Sequence, residues 1–155
     1  LARLPTAVQR HDIDDIGASI ASGSFRTKAM VVAPCSMHSL SAIASSHAKN
    51  LLLRAADVHL KERRRLVLVT RETPLHLGHI QLMAAVTSLG AIIAPPMPAF
   101  YLRPASIDEM VEHCARRTID LLGLQVHNLA PEWGGDTLNG DPHAIDAANS
   151  PYHSR

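Results

Sequence analysis

The chain has 155 residues, 46% of them hydrophobic, which is enough apolar material for one globular domain with a buried core. Its 15 basic and 14 acidic side chains leave a net charge of +1, so no polybasic surface for nucleic acid or anionic lipid is predicted. No apolar run approaches the ~20 residues that cross a bilayer, and no export signal is recognisable. Cys35 and Cys114 lie outside any Cys-x-x-Cys pattern, which favours a reducing compartment, and we expect a cytoplasmic location.

Strand and helix patterns alternate along the chain. Short continuous apolar runs predict strands buried on both faces, at residues 29–33, 66–69 and 91–94. Pro34 is expected to end the first strand. Helical spacing predicts helices at residues 14–21, 37–44, 51–60 and 75–89.

The last periodic segment predicts an amphipathic helix over residues 106–122. Ser106 is its expected N-cap, Glu109 has capping-box spacing, and Gly123 follows its end. Beyond this helix the composition shifts to Asn, Pro, Gly, Asp and His. We therefore expect a domain over residues 1–123 and a mobile tail over residues 124–155.

This alternation predicts an α/β fold, a three-layer α/β/α Rossmann-like arrangement with a parallel sheet. Because sheets typically have about five or six strands, we expect that one or two strands precede residue 1.

Polar residues follow two of the predicted strands. Ser36–Ser39 come after the first strand, where a helix begins, and Arg71 and Glu72 come after the second. The carboxyl ends of parallel strands form the ligand-binding edge of open α/β sheets. A ligand site is thus indicated, although Ser36 as a plain N-cap, or an exposed pair at a helix start, would give the same pattern.

Three further patterns have structural as well as functional interpretations. The basic run from Arg54 to Arg65 places Arg54 and Lys61 on one helix face, and such a run is usually a solvated surface. The proline-rich loop at residues 95–101 presents Phe100 and Tyr101 as a possible wall for an apolar group. A pair of histidines, His76 and His79, is weak evidence for zinc, and no metal site is expected.

Four blocks resemble the UbiX-type flavin prenyltransferase family in order and spacing. They are SGSFRT at 22–27, APCSM at 33–37, LLLRAADVHLKERRRLVLVTRETPLHLGH at 51–79 and PPMPAFYLRP at 95–104. The resemblance extends from about residue 12 to residue 123. It implies a metal-independent, homododecameric flavoprotein that joins dimethylallyl monophosphate to FMN at N5 and C6. UbiD-type decarboxylases, such as that of ubiquinone biosynthesis, would use the product.

The resemblance also assigns roles to individual residues. The flavin would be bound by Ser36, Met37, His38, Ser39 and Arg71. The dimethylallyl phosphate would be bound by Tyr101, Arg117, Arg54 and Lys61. Catalytic roles would fall to Glu72, Lys61 and Ser22, with Glu72 passing a proton between phosphate and flavin.

Two departures from the family pattern stand out. The flavin-binding turn usually reads Ser-Met-Lys-Thr, so His38 and Ser39 are variants. The Gly-Ala-Ser-Gly loop that holds the FMN phosphate is absent, and we expect that the chain is truncated at its N-terminus.

Three other functions remain as alternatives. A related class decarboxylates cysteine-type substrates, but its Pro-x-Met-Asn motif is missing here. The chain could instead be the accessory small subunit of a hydroxyarylic acid decarboxylase, or a non-catalytic flavin-binding fragment.

Overall fold

The computed structural model describes residues 8–124. Strands and helices alternate, with 3-10 helices at Ser19–Ala21 and Phe100–Leu102. The strands are β1 (Ala29–Cys35), β2 (Arg65–Thr70) and β3 (Ile92–Ile93). The helices are α1 (Met37–Ala44), α2 (Leu51–Lys61), α3 (Leu77–Ser88) and α4 (Ile107–Leu121). No described helix is long and apolar enough to cross a membrane.

The three strands form one parallel sheet in the order β1, β2, β3. Ala29 pairs with Arg65 at the amino ends of β1 and β2, and Cys35 pairs with Thr70 at their carboxyl ends. β3 joins β2 through the pair Val67 and Ile92. The predicted α/β class with a parallel sheet is therefore confirmed.

A hydrophobic core lies between the sheet and helices α1, α2 and α3. Leu66 and Leu68 of the central strand β2 are fully buried in it, since alternate strand residues point to one face. The helices contribute apolar residues from their inner faces, chiefly Leu40, Ile43, Leu53, Ala56 and Val86. This packing holds the ends of β1 and β2, and hence the loops that leave them, in a defined arrangement.

Helix ends follow the predicted capping chemistry. The Ser106 hydroxyl accepts the Glu109 N–H at 3.1 Å, and the Glu109 carboxylate accepts the Ala105 N–H at 2.7 Å. Gly90 and Gly123 follow α3 and α4 with φ of +105° and +63°, a conformation that costs glycine little.

The predicted helix at residues 14–21 is wrong. Only Ser19–Ala21 is helical, as one 3-10 turn, and the residues before it form tight turns. The Asp12 carboxylate accepts the Asp14 N–H at 3.0 Å, a local bond that competes with helix formation. The predicted start of α3 was also two residues early, because His76 is the N-cap.

The prediction for β1 needs two corrections. The strand continues through Pro34 to Cys35, with an irregular register after Val32, and proline is tolerated because β1 is an edge strand of the described sheet. It is also not buried on both faces, since Val31 is 39% exposed whereas Val32 is buried.

Helix α4 forms as predicted, but its apolar side is not covered within the described chain. None of its residues is buried, and Ile107 and Val111 are 73% and 62% exposed. The predicted mobile tail lies outside the described residues except for Leu124, so it stays a prediction.

Candidate active site

The carboxyl edge of the sheet brings the predicted flavin-binding residues together. Cys35 and Thr70 are paired across β1 and β2, so Ser36 and Arg71, the next residues, leave the sheet side by side. Glu72 follows Arg71, and both side chains are exposed. The prediction that Arg71 and Glu72 reach the same edge as Ser36 is confirmed.

The turn Ser36–Ser39 forms the start of α1. The Ser36 hydroxyl accepts the Ser39 N–H at 3.1 Å, so Ser36 is indeed an N-cap. Its O–H lies 3.2 Å from the Ser39 hydroxyl. Met37 and His38 occupy the first turn, where backbone N–H groups have no helical partner and suit an electron-rich ring edge or an anion.

Within residues 8–124, two buried side-chain atoms have no hydrogen-bond partner, and the Thr70 hydroxyl at this edge is one of them. The Thr70 Oγ1 lies at the end of β2, and Thr70 is 1% exposed. A buried hydroxyl without a partner costs free energy unless water or a ligand satisfies it. The residues at this edge therefore fit a polar ligand such as the flavin ring.

A second cluster forms where the Ser22–Thr27 loop docks on α2. The Arg54 Nε donates to the Ala21 carbonyl at 3.1 Å, and Arg54 Nη1 lies 3.2 Å from Asp57 Oδ2. The Ser22 hydroxyl is 2.9 Å from that of Ser24. Ser22 thus stands beside a helix face that carries two cations, Arg54 and Lys61.

Lys61 lies close to this loop at the last turn of α2. Its Nζ is 2.6 Å from Glu62 Oε1, and this hydrogen bond and charge hold the pKa of Glu62 below its usual value. A Cβ added at Gly23 would lie 2.7 Å from Lys61 Nζ. The same Cβ would meet Glu62 Oε1, so the ends of both side chains would have to shift to admit it.

The two clusters lie at opposite edges of the sheet. The Ser22 loop precedes β1 and Lys61 precedes β2, whereas Ser36 and Arg71 follow these strands. The six residues of β2 span about 17 Å at roughly 3.3 Å per residue. One copy of the chain therefore does not bring Glu72 to Lys61.

Tyr101 and Arg117, the remaining predicted substrate contacts, are both exposed. Tyr101 is in the 3-10 helix after β3, and Arg117 is on α4. A cavity of about 300 Å³ separates these two elements, and neither residue lines it. Its lining residues are Ala99, Leu102, Pro104, Glu109, Met110, Glu112, His113 and Arg116.

The histidine pair has a structural role. The His76 Nδ1 accepts the Gly78 N–H at 3.0 Å as the cap of α3, and the His76 and His79 rings stack with centroids 3.7 Å apart. Within residues 8–124, no group of three or more potential ligand side chains could hold a metal ion.

Three residues that the sequence did not single out hold the second cluster together. Arg64 donates hydrogen bonds to the loop, and Thr27 receives one of them and contacts the buried His59. In the sequence, Arg64 is only one member of the basic run from Arg54 to Arg65. Its pairing with a loop some 40 residues earlier has no periodic signal in the sequence.

Comparison with known proteins shows the family of the chain. The profile of the flavoprotein family matches residues 7–113. The flavin prenyltransferase UbiX of Thauera aromatica is 55% identical over 126 residues, which cover 81% of this chain and 64% of the relative. The chain belongs to the UbiX-like flavoproteins. It spans about two thirds of the length of such relatives.

Solved structures of UbiX-like flavoproteins share the fold. AnUbiX in complex with FMN and dimethylallyl pyrophosphate aligns with a TM-score of 0.76 and 48% identity, over 81% of this chain and 66% of that one. A dodecameric FMN-dependent UbiX-like decarboxylase from Escherichia coli O157:H7 aligns with a TM-score of 0.71 and 49% identity, over 74% and 62% of the two chains.

The two free cysteines differ in burial, and we expect them to differ in reactivity as well. Cys35 is fully buried beside the carboxyl edge, and this burial raises the pKa of its thiol from 9.0 to about 11, whereas Cys114 is partly exposed. Because the thiolate is the reactive form, we expect iodoacetamide at pH 9 to alkylate Cys35 in urea but not in the folded protein. Mass spectrometry of the Cys114→Ser variant measures this difference directly.

The same pKa shift predicts how stability depends on pH. A raised pKa in the folded state stabilises the protein below pH 9, and this contribution is lost as pH rises from 9 to about 11. Cys35→Ala should lose less stability than the parent over this interval in urea titrations. Rapid alkylation of native Cys35 at pH 9 would contradict the assigned burial.

Proposed function

We propose that the chain is a flavin prenyltransferase, which transfers a dimethylallyl group from dimethylallyl monophosphate to reduced FMN. The observation that supports this best is the grouping of Ser22, Arg54 and Lys61 around one loop. Two cations and a hydroxyl form a site for a phosphate without a metal.

The carboxyl edge would hold the flavin. The first-turn N–H groups after Ser36 and the exposed Arg71 side chain belong to this edge and could donate to the polar side of the ring. Thr70 Oγ1 adds a hydroxyl that lacks a partner. Reduced FMN, when bound, supplies the electron-rich ring that accepts the prenyl group.

The amino-edge cluster would bind the phosphate of the prenyl donor. Arg54 and Lys61 pair with Asp57 and Glu62 at the surface, and exposed pairs of this kind contribute little to stability because solvent screens them. A phosphate can therefore compete for both cations. As the allylic C–O bond breaks, negative charge grows on the departing phosphate, and the cations and the Ser22 hydroxyl stabilise it.

The distance between the clusters implies that copies of the chain share the site. We infer that Ser36, Arg71 and Glu72 of one copy meet Ser22 and Lys61 of a neighbouring copy. The uncovered apolar side of α4 supports self-association, since exposed apolar patches mark interfaces. A homo-oligomer, dodecameric like its relative from E. coli O157:H7, would then be required for activity.

In this shared site, Glu72 would carry the proton. Its carboxylate is exposed at the flavin edge and forms no side-chain bond beyond one to the neighbouring Thr73 N–H, at 3.1 Å. Facing Lys61 of the other copy, it can accept a proton released from the flavin and pass it to the phosphate. Tyr101 and Arg117 would complete the prenyl-phosphate contacts.

The cellular role follows from the same proposal. The prenylated flavin would be delivered to a UbiD-type decarboxylase, as in ubiquinone biosynthesis, and the protein would work in the cytoplasm. The resemblance to UbiX-like proteins supports both statements.

Removing the proton carrier tests the reaction. The protein is incubated without oxygen with reduced FMN and dimethylallyl monophosphate, and the flavin is analysed by mass spectrometry. We expect Glu72→Gln to bind FMN normally and to slow prenyl transfer by about 100-fold or more. Asp108→Asn, an equivalent change at an exposed residue of α4, should have no effect. Full turnover by Glu72→Gln, or a colourless parent protein, would contradict the proposal.

Mixing two inactive variants tests whether copies share the site. Lys61→Met should be as inactive as Glu72→Gln, because it removes charge stabilisation from the phosphate. When both variants are co-expressed, some sites combine intact residues from two copies, and roughly a quarter of the parent activity should return. No recovery in verified mixed oligomers would show that one copy supplies both residues.

A further inference from the structure

Arg64 lies just after α2 and fastens the Ser22–Thr27 loop. Its Nη2 donates to the Gly23 carbonyl at 2.6 Å, and its Nη1 donates to the Phe25 carbonyl at 2.8 Å and to Thr27 Oγ1 at 3.2 Å. These three bonds cross 37 to 41 residues of sequence. A lysine at this position could not form the three bonds, because its single ammonium group lacks the planar fork that reaches two carbonyls at once.

The buried His59 holds the far end of the same loop. Its Nδ1 is 2.8 Å from the Ala55 carbonyl, which can only accept, so the proton is assigned to Nδ1. Its Nε2, 3.0 Å from Thr27 Oγ1, then accepts the threonine O–H. The Thr27 oxygen remains free to accept from Arg64, so the two hydrogen bonds that join Arg64, Thr27 and His59 each have one donor and one acceptor.

The loop is held on its other side by the predicted site residues. Arg54 donates to the Ala21 carbonyl, and the Gly23 backbone lies close to the side-chain ends of Glu62 and Lys61. The backbone between Ala21 and Thr27 is thus fixed to α2 at successive points. The position of Ser22 relative to Lys61 depends on these contacts, since within residues 8–124 the Ser22 side chain bonds only to Ser24.

We propose that Arg64 is a positioning residue, which, with Thr27 and His59, sets the place of the Ser22 loop against Lys61 and so shapes the phosphate-binding cluster. This inference rests on the proposed function for its consequence in catalysis. The anchoring of the loop by Arg64 does not depend on the proposed function. Arg64 would not touch the substrate, because its donors are directed at Gly23, Phe25 and Thr27.

Two matched pairs of variants test the proposal. Arg64→Lys keeps the charge but loses the fork, and Arg63→Lys changes an exposed neighbour for which the structure shows no side-chain bond. Thr27→Val removes the hydroxyl, and Thr27→Ser keeps it. Hydrogen exchange of the amides at residues 22–27 reports the anchoring, and FMN affinity and the rate of prenyl transfer report its consequence.

We expect Arg64→Lys and Thr27→Val to speed exchange in the loop, whereas Arg63→Lys and Thr27→Ser behave like the parent. Prenyl transfer should fall on the order of 100-fold in Arg64→Lys, because a small displacement of a binding group is costly. FMN affinity should stay within about 2-fold, since Arg64 positions the loop that would bind the phosphate of the prenyl donor, whereas Ser36 and Arg71 would bind the flavin. KM for dimethylallyl monophosphate should rise.

Different results would contradict the anchoring by Arg64 and the proposed function. Unchanged loop exchange in Arg64→Lys would overturn the anchoring. Faster exchange throughout α2 and β2, with FMN affinity lost in parallel, would show a general structural role and overturn it as well. A parent protein that binds no FMN and transfers no prenyl group would refute the proposed function, while loop exchange would still decide the anchoring.

Discussion

The parallel pairing of β1 with β2 is the constraint on which the site depends. This pairing, which runs from Ala29 with Arg65 to Cys35 with Thr70 and is irregular after Val32, sets what meets at both edges of the sheet. At the carboxyl edge it places Ser36 beside Arg71. At the amino edge it brings the segment before β1 to the turn before β2, where Arg64 can reach the loop that carries Ser22. A slip of the register would displace both clusters together.

The basic residues around α2 illustrate how similar side chains acquire different tasks. Arg54 and Lys61 are partly exposed and keep weak carboxylate partners, so they remain open to an incoming anion. Arg64 instead donates hydrogen bonds to backbone carbonyls. Arg65 donates to the Leu121 carbonyl at 3.1 Å and links the end of α4 to β2. Charge alone does not distinguish these roles; the geometry of the partners does.

Local patterns in the sequence predicted most of the fold. The strands and helices, the caps at Ser106 and Gly123, and the carboxyl-edge cluster follow from periodicity and from the general geometry of parallel sheets. The turns at residues 12–16 escaped prediction because the Asp12 side chain competes with a helix. The exposure of Val31 and of α4 was not predicted either, because the burial of an element depends on what packs against it and not on its own sequence pattern.

The candidate site was predicted as a set of residues but not as an arrangement. Family resemblance supplied Ser22, Lys61 and Glu72, while only the structure revealed that the sheet separates Lys61 from Glu72. The anchoring of the loop by Arg64 and Thr27 depends on contacts between distant segments, for which one sequence offers no local signal.

A crystal structure of the protein with FMN and dimethylallyl monophosphate would test the central claim most directly. The account predicts that Ser36 and Arg71 of one copy contact the flavin, while Lys61 and Ser22 of a neighbouring copy contact the phosphate. Both ligands held by residues of a single copy, or a flavin bound away from the carboxyl edge, would contradict it.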